Sequence, residues 1–522
     1  MIHLKKNQES HYKKINNVFN KGYNFYIDCS VMGSGKTYIA LKIAQEKKMN
    51  LFVICPKSVV SNWEKLAQEF GIKIHFCTTY QSFRGMKKKK QIKINHPYLR
   101  SIYGSEYSVT EEFEKISKEN DILFVFDEFQ HLKNVTNQWR SIYAITKYIK
   151  NKPKHKMAFL SSTPFDKEKS VKNLIILTGL ASDPLLSAGR YHYDLLGASE
   201  FIKNCSVIDY ETTYNIYNPS TRLVSGEFTK LLYDLYIKII VPKFVFIMNP
   251  PVIESKLDIK NGRYGLDEYS KNKIRKGMDE LTRCVRSINN KGEMNLDISI
   301  GLGSSLSLLE EGKINILKKL IGESLQMKNS KVIVFASYNN TINKLSSHFT
   351  SFNPLILNGS CTLKKRKAVI DGFQEHSLKN RLLISNTKVG GTGVDLHDTH
   401  GMYPRFIFLL PNFNMIDIHQ ACGRTYRIGT KSDSFIRIIY TDENEQRLIE
   451  SIQKKSKILR ETTDEDILYI GDYKTIENDH SFLEVERLKY KEMFNETMSE
   501  LKYLPGFSLE FNKAQTHFYG IQ

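Results

Sequence analysis

Short runs of β-branched and aromatic residues alternate with longer stretches of helical periodicity through the first third of the chain. The apolar runs fall at residues 25–27, 51–55, 72–77, 122–126 and 157–161. A second series, at 332–336, 354–357, 382–385, 406–410 and 435–440, occupies the last third. Continuous apolar runs separated by helices are what a parallel sheet covered on both faces requires. The pattern therefore predicts an α/β protein with two lobes. Between them the periodicity turns helical with mixed charge, as at 228–239 and 268–288, with one strand expected near 252–259. The small-residue run Ser299-Ile-Gly-Leu-Gly-Ser-Ser305 reads as a linker into the second lobe. The expected divisions are lobe 1 at 1–180, a mostly helical insertion at 181–308, lobe 2 at 309–460 and a C-terminal extension at 461–522. That extension starts acidic (Glu461, Asp464, Glu465, Asp466) and ends aromatic-rich over 507–519.

One loop gives the first lobe its chemistry. Ser30-Val-Met-Gly33-Ser34-Gly35-Lys36-Thr37 lies between a predicted strand and a predicted helix, the order a phosphate site needs. Gly33 and Gly35 let backbone N–H groups turn inward, and the helix start adds partial positive charge. Lys36 then reaches the β- and γ-phosphates while the Thr37 hydroxyl takes Mg²⁺. The strict pattern has glycine where Ser30 stands. A chance Gly-x-Gly-Lys-Thr loop is the competing reading, and the flanking strand and helix weigh against it. After the run at 122–126, Asp127 and Glu128 place two carboxylates at a strand's C-terminal end, where open α/β sheets bind ligands. Asp127 is expected to hold Mg²⁺, and Glu128 to orient or deprotonate an attacking water.

Composition narrows the partners. The 522 residues carry 76 Lys plus Arg against 56 Asp plus Glu, a net charge of +20 that draws in polyanions such as nucleic acid. The seven cysteines show no C-x-x-C spacing, so reduced thiols and no zinc site are expected. The N-terminus lacks a signal-peptide core and no apolar run approaches bilayer length, so a soluble intracellular protein without membrane association is expected. The acid-free run from Arg84 through Lys87 to Lys90 and Lys93 reads equally as a phosphate-backbone contact or as a solvated loop.

Several blocks, in order, resemble the SWI/SNF-like branch of helicase superfamily two. They are Leu4-Lys-Lys-Asn-Gln8; Pro56 through Asn62-Trp63-Glu64; Thr78-Thr79-Tyr80; Asp127-Glu-Phe-Gln-His131-Leu132-Lys133-Asn134; and Ser161-Ser162-Thr163-Pro164. In the second lobe they are Leu357-Asn-Gly359-Ser360 with Arg366 and Phe373, Asn386-Thr387-Lys388-Val-Gly390-Gly391-Thr-Gly393-Val-Asp395-Leu396, and Gln420-Ala-Cys-Gly423-Arg424-Thr-Tyr-Arg427-Ile-Gly429. Leu281-Thr-Arg283-Cys-Val-Arg286 resembles the family's arginine-containing helix more loosely. Two motifs depart from the pattern: Gln130 stands where the family has histidine, with His131 one position late as a surface histidine, and Ser162 replaces a glycine.

The resemblance implies two RecA-like lobes and ATP-driven translocation on double-stranded DNA, which remodels protein–DNA complexes. ATP and Mg²⁺ are the implied cofactors. Gln8 would read adenine, with Gly33, Ser34, Gly35, Lys36, Thr37, Gly393 and Gln420 around the nucleotide. Lys36, Asp127, Glu128 and two arginines would be catalytic, with Arg427 the finger and Arg424 beside it. Gln420, Arg424 and Arg427 fall at i, i+4 and i+7, one face of a helix. Lys57, Arg84, Lys87, Lys88, Thr387 and Lys388 would contact nucleic acid. RNA polymerase or other transcription proteins are the implied protein partners. The Lys, Asn, Ile and Tyr usage resembles compact relatives encoded by large cytoplasmic DNA viruses, including the poxvirus nucleoside triphosphate phosphohydrolase I; a viral member would sit in cytoplasm or virion, any other in the nucleus. A strand-separating DNA or RNA helicase and a non-hydrolysing structural subunit are the alternatives.

Overall fold

The structure is a computed structural model of the chain, and it describes residues 2–88, 91–102, 106–181, 191–217, 227–249, 253–291, 296–327, 329–391, 394–412, 414–441, 443–463 and 475–477. Lobe 1 is built on β1 (Phe25–Asp28), β2 (Asn50–Cys55), β3 (Ile74–Thr79), β4 (Ile122–Asp127), β5 (Lys156–Leu160) and β6 (Val245–Phe246), in the order β6-β1-β5-β4-β2-β3. Lobe 2 holds β7 (Leu257–Arg263), β8 (Lys331–Ala336), β9 (Leu355–Leu357), β10 (Leu382–Asn386), β11 (Arg405–Leu409), β12 (Ser434–Tyr440) and β13 (Thr475–Glu477), in the order β9-β10-β8-β11-β12-β7-β13. Every pairing in both sheets is parallel. The expected two α/β lobes are therefore present.

The strands read as unbroken apolar runs because each face of each sheet is covered. In lobe 1 Phe52, Phe124 and Phe126 enter one core while Leu51, Val53, Leu123 and Val125 enter the other, the alternation a strand imposes. The third strand begins two residues later than its apolar run. Gly71, at φ +66°, ends the helix Val60–Glu69 and turns Ile72 back so that its N–H bonds the Ala67 carbonyl.

The middle of the chain does not form a separate insertion. Residues 245–246 add the edge strand β6 to lobe 1, and 257–263 enter lobe 2 between β12 and β13. In β7 the polar Asp258 is met by Arg437 of β12, which is fully buried and donates to the Asp258 carbonyl (3.0 Å) and carboxylate (2.7 Å). The run expected as a linker, 299–305, is instead inside the helix Leu296–Glu311. One of its glycines serves packing: a Cβ at Gly301 would come within 2.7 Å of the Cys284 sulfur on the helix Glu268–Lys291, whereas one at Gly303 would meet nothing within 4 Å. The expected boundary at 460/461 falls within the helix Glu443–Thr463. That helix places Ile452 in a lobe 2 core and Ile458 in a lobe 1 core, and the Tyr233 hydroxyl donates to Glu461 across 2.5 Å.

Candidate active site between the lobes

Parallel strands put all their C-terminal ends on one edge. Asp28, Leu160 and Asp127 are in register there, so the loops after β1, β4 and β5 start at one level. Gly33 (φ +80°) and Gly35 (φ +104°) supply the left-handed turns of the first loop, and the helix Lys36–Glu46 follows. The Lys36 ammonium rests on the loop's own carbonyls, Ser30 at 2.5 Å and Val31 at 3.2 Å. Gln8, on the helix Lys6–Asn20, donates to the Ser34 carbonyl at 3.0 Å. A Cβ at Gly35 would collide with the Gln8 amide. The Ser34 hydroxyl is buried without a partner, an unmet polar group in the cradle where a phosphate would lie.

Asp127 ends β4. Trp63 donates its indole N–H to one carboxylate oxygen at 2.9 Å, and the Tyr80 hydroxyl donates to the Asp127 carbonyl at 3.0 Å. The surrounding protein, and then the Glu128 charge beside it, push the Asp127 carboxyl up to about 6. A cation would relieve that cost. Among the described residues no three His, Cys, Asp or Glu gather into a metal cage. The protein groups for Mg²⁺ would be Asp127 and the Thr37 hydroxyl, a sparse set that suits an ion keeping water and phosphate ligands.

Glu128 has left-handed backbone (φ 54°, ψ 50°), an uncommon conformation for a residue with a side chain. Its carboxylate accepts from the Gln130 amide at 2.6 Å; the Gln130 oxygen accepts from the Ser161 hydroxyl at 2.6 Å. The Ser161 hydroxyl accepts from the Thr163 N–H at 2.9 Å, and the Thr163 hydroxyl accepts from Gln420 of lobe 2 at 3.2 Å. A polar relay thus runs from a carboxylate of lobe 1 into lobe 2.

Gln420 and Arg424 lie on the helix Met415–Thr425, but Arg427 does not. Tyr426 is extended (φ −141°, ψ 116°), and its hydroxyl donates to the Ser255 carbonyl at 2.7 Å, so the expected single helical face ends at Arg424. Arg427 starts a turn in which the Thr430 N–H bonds its carbonyl at 3.0 Å. Leaving the helix lets Arg427 reach across the cleft: a Cβ at Gly33 would collide with its guanidinium. Asp395 pairs with Arg427 and lies 3.8 Å from Arg424, whose Nε donates to the Gly391 carbonyl at 3.1 Å. Burial pulls Arg424 down from its ordinary value, while the charges of Glu128 and Asp395 act in the opposite direction.

The structure thus brings Gln8, Gly33, Ser34, Gly35, Lys36, Asp127, Glu128, Gln420, Arg424 and Arg427 to one cleft, with Thr37 one position into the loop's helix. Gly393 lies outside the described residues. Among the expected nucleic-acid contacts, Lys57 and Lys388 are exposed, Arg84 is half-buried, and Thr387 is buried with an unpartnered hydroxyl. Lys87 and Lys88 form a short strand antiparallel to Gln91–Lys93, while Lys89 and Lys90 are outside the described residues. His131 is exposed, its ring 5.5 Å from that of Tyr80. Sequence reasoning did not assign Asp395, nor the buried pair His11–Asp28 under the loop (3.0 Å). The one signal for His11 was its position a helical turn after Gln8.

Two family models match the chain. "Type III restriction enzyme, res subunit" matches residues 1–166, and "Helicase conserved C-terminal domain" matches residues 312–429. The chain carries the paired domains of helicase superfamily two. This superfamily two protein is an ATP-hydrolysing enzyme of the helicase type. It is 23% identical over 458 residues to the "Putative ATP-dependent RNA helicase L364" of Acanthamoeba polyphaga mimivirus, covering 85% of this chain and 81% of that one. Shorter similarities join it to SWI/SNF-like proteins. The DNA repair protein rhp54 of Schizosaccharomyces pombe is 25% identical over 31% of this chain and 19% of its own length. For the ATP-dependent helicase FUN30 of Saccharomyces cerevisiae the figures are 28%, 30% and 14%. This superfamily two chain therefore spans only a small part of those yeast relatives. The crystal structure of the C-terminal part of the Fun30 ATPase domain covers 40% of this chain at TM-score 0.31 and 15% identity, too low to bear on the fold. Among the described residues no helix is long and apolar enough to cross a membrane.

Proposed function

We propose that this enzyme is a double-stranded DNA translocase whose stroke is closure of the cleft between its lobes on ATP. The observation that carries the reading is the placement of Arg427, a residue of lobe 2, against Gly33 of the phosphate loop in lobe 1. A nucleotide in the loop would be enclosed by both lobes, so its hydrolysis changes what holds them together. Lys36 exchanges the Ser30 and Val31 carbonyls for phosphate oxygens. Glu128, held by Gln130, accepts the proton of the attacking water. Arg424 and Arg427 stabilise charge on the transferring phosphoryl group, a task suited to an always-charged planar fork. Mg²⁺, held by Thr37 and Asp127 when it binds with the nucleotide, supplies charge neutralisation. Gln8 fixes the loop from the adenine side.

Duplex DNA as the track is supported by the Asn62-Trp63 and Leu132-Lys133-Asn134 blocks, by the charge of +20 and by relatives named for DNA repair. Lys57, Arg84, Lys87, Lys88 and Lys388 are the proposed contacts; Thr387, expected among them, is buried and is not one. Strand separation on RNA is the second reading, favoured by the printed name of the mimivirus relative. The deciding experiment compares ATP hydrolysis with duplex DNA, single-stranded DNA and RNA at matched phosphate concentration, alongside strand displacement. Stimulation by duplex DNA without displacement supports the translocase. RNA preference with displacement refutes it.

A further inference from the structure

The chain leaves lobe 1 through residues 245–249 and enters the lobe 2 sheet at Leu257. The segment 245–249 is held in lobe 1: Met248 is buried in a lobe 1 core, Phe246 packs edge-on to His11, and its polar bonds run to the phosphate loop and its neighbouring helix. The Cys29 N–H donates to the Phe246 carbonyl at 2.9 Å, continuing the β1–β6 pairing into the loop. The Met248 N–H donates to the Ser30 hydroxyl at 2.8 Å, and the Asn7 amide donates to the Asn249 carbonyl at 3.1 Å.

Ser30 is fully buried and uses every polar atom it has. Its hydroxyl donates to Asp28 Oδ1 at 2.5 Å while accepting from Met248, and its N–H donates to the same oxygen at 3.0 Å. Its carbonyl accepts from Lys36 at 2.5 Å. The other Asp28 oxygen pairs with His11 Nε2 at 3.0 Å. Gln8 and His11 share one face of their helix, a turn apart, so that helix holds both ends of the loop: the Ser34 carbonyl through Gln8, and Ser30 through His11 and Asp28. Glycine, the residue of the strict phosphate-loop pattern at this position, has no hydroxyl for Met248. In a site this dry each of those bonds is costly to leave unmade.

We propose that Ser30 is a positioning residue that ties the phosphate loop to the interlobe connector through its hydroxyl, so that nucleotide in the loop is felt by lobe 2. When phosphate draws Lys36 off the Ser30 carbonyl, the change at Ser30 is passed to Met248, at the lobe 1 end of the chain that leads on to β7. The proposal rests on the two-lobe motor reading and names the contact that transmits it. Coupling of this kind is a ratio of affinities and is reciprocal between the two ligands.

The test measures the affinity of the full chain for a fluorescent duplex DNA without nucleotide and with Mg²⁺ and a non-hydrolysable ATP analogue. The wild-type ratio of the two dissociation constants defines the coupling, about 5- to 150-fold for coupled sites in general. Ser30→Ala and Ser30→Gly are expected to lower that ratio at least fivefold, and by more than they weaken analogue binding to the free enzyme. Asn7→Ala, at a half-buried position outside the apolar cores, is expected to lower it about twofold by freeing Asn249. A ratio preserved in both Ser30 variants overturns the proposal. So does preservation in Ser30→Gly with loss in Ser30→Ala, since the missing hydroxyl is common to both variants and could not then be the cause. A wild-type ratio of one would instead refute the motor reading itself.

Discussion

Gln130→Ala removes the middle of the relay from Glu128 to lobe 2. Two bonds of 2.6 Å are lost, one to the Glu128 carboxylate and one from the Ser161 hydroxyl. A hydrogen bond to a charged group contributes about 1.5–3 kcal/mol and a neutral one about 1 kcal/mol. Ser161 keeps its bond from the Thr163 N–H, so the damage is concentrated on Glu128. If half or more of the charged bond is used in orienting Glu128 during hydrolysis, the barrier rises by about 0.8–3 kcal/mol. DNA-stimulated kcat then falls roughly 4- to 160-fold. KM for ATP should change by less than about threefold, because neither Gln8 nor the phosphate loop bonds to Gln130. Gln130→His tests the same point: an imidazole can also donate to Glu128 and accept from Ser161, but only in its neutral form. It should retain much of the rate above pH 7 and lose it as pH falls below about 6.5. Steady-state hydrolysis with saturating duplex DNA, alongside thermal melting to control for folding, is the assay. An unchanged kcat in Gln130→Ala, or a loss confined to KM, would refute the relay.

Three further substitutions probe separate parts of the molecule. Asp395→Asn removes the counter-charge from Arg427 and Arg424; since a partly exposed ion pair contributes about 1 kcal/mol or less, analogue affinity should rise up to about fivefold at low salt, and a weaker affinity would contradict the pairing. Asp127 titrates near 4 when unfolded and up to about 6 when folded, so its protonated form is favoured by folding; the stability it contributes is present below pH 4 and lost as pH rises through 6. Asp127→Asn without metal should therefore gain melting temperature relative to wild type across pH 4 to 6, and a difference that shrinks over this window would refute the raised value. Ile458→Ala, in the core that the C-terminal helix shares with lobe 1, should destabilise by about 2–5 kcal/mol, read as a lower denaturation midpoint.

Residues buried on both sides made the sheets legible, because every position of runs such as 122–126 and 332–336 faces a core and polar residues are excluded. β7 was legible only in part: a strand was expected near 252–259, whereas the pairing runs over 257–263, and the partner of its polar Asp258 is Arg437, 179 positions away. Small residues at 299–305 satisfy a linker and a close helix contact equally, and only the neighbouring Cys284 distinguishes them. In the cleft, residue types were legible but their hands were not. Spacing put Arg427 on a helix with Arg424, whereas the bond from Tyr426 to Ser255 ends that helix early. Gln130 read as a departure from a histidine, yet a side-chain amide both donates and accepts, through its nitrogen to Glu128 and its oxygen from Ser161. The bond from Met248 to Ser30, 218 residues apart, has no local trace at all.

The helix Glu443–Thr463 constrains how the two lobes can move on one another. Its anchors in the two lobes, Ile452 and Ile458, are separated by six positions, about 9 Å along the axis. So short a tether fixes a pivot: near it the lobes can roll on one another but cannot be drawn apart without exposing one of the two isoleucines. Displacement must then grow with distance from that pivot, as in a pair of tongs. A bound polymer would be moved furthest where it lies furthest from residues 452–458, and lengthening the lever at that end would lengthen the stride without touching the chemistry.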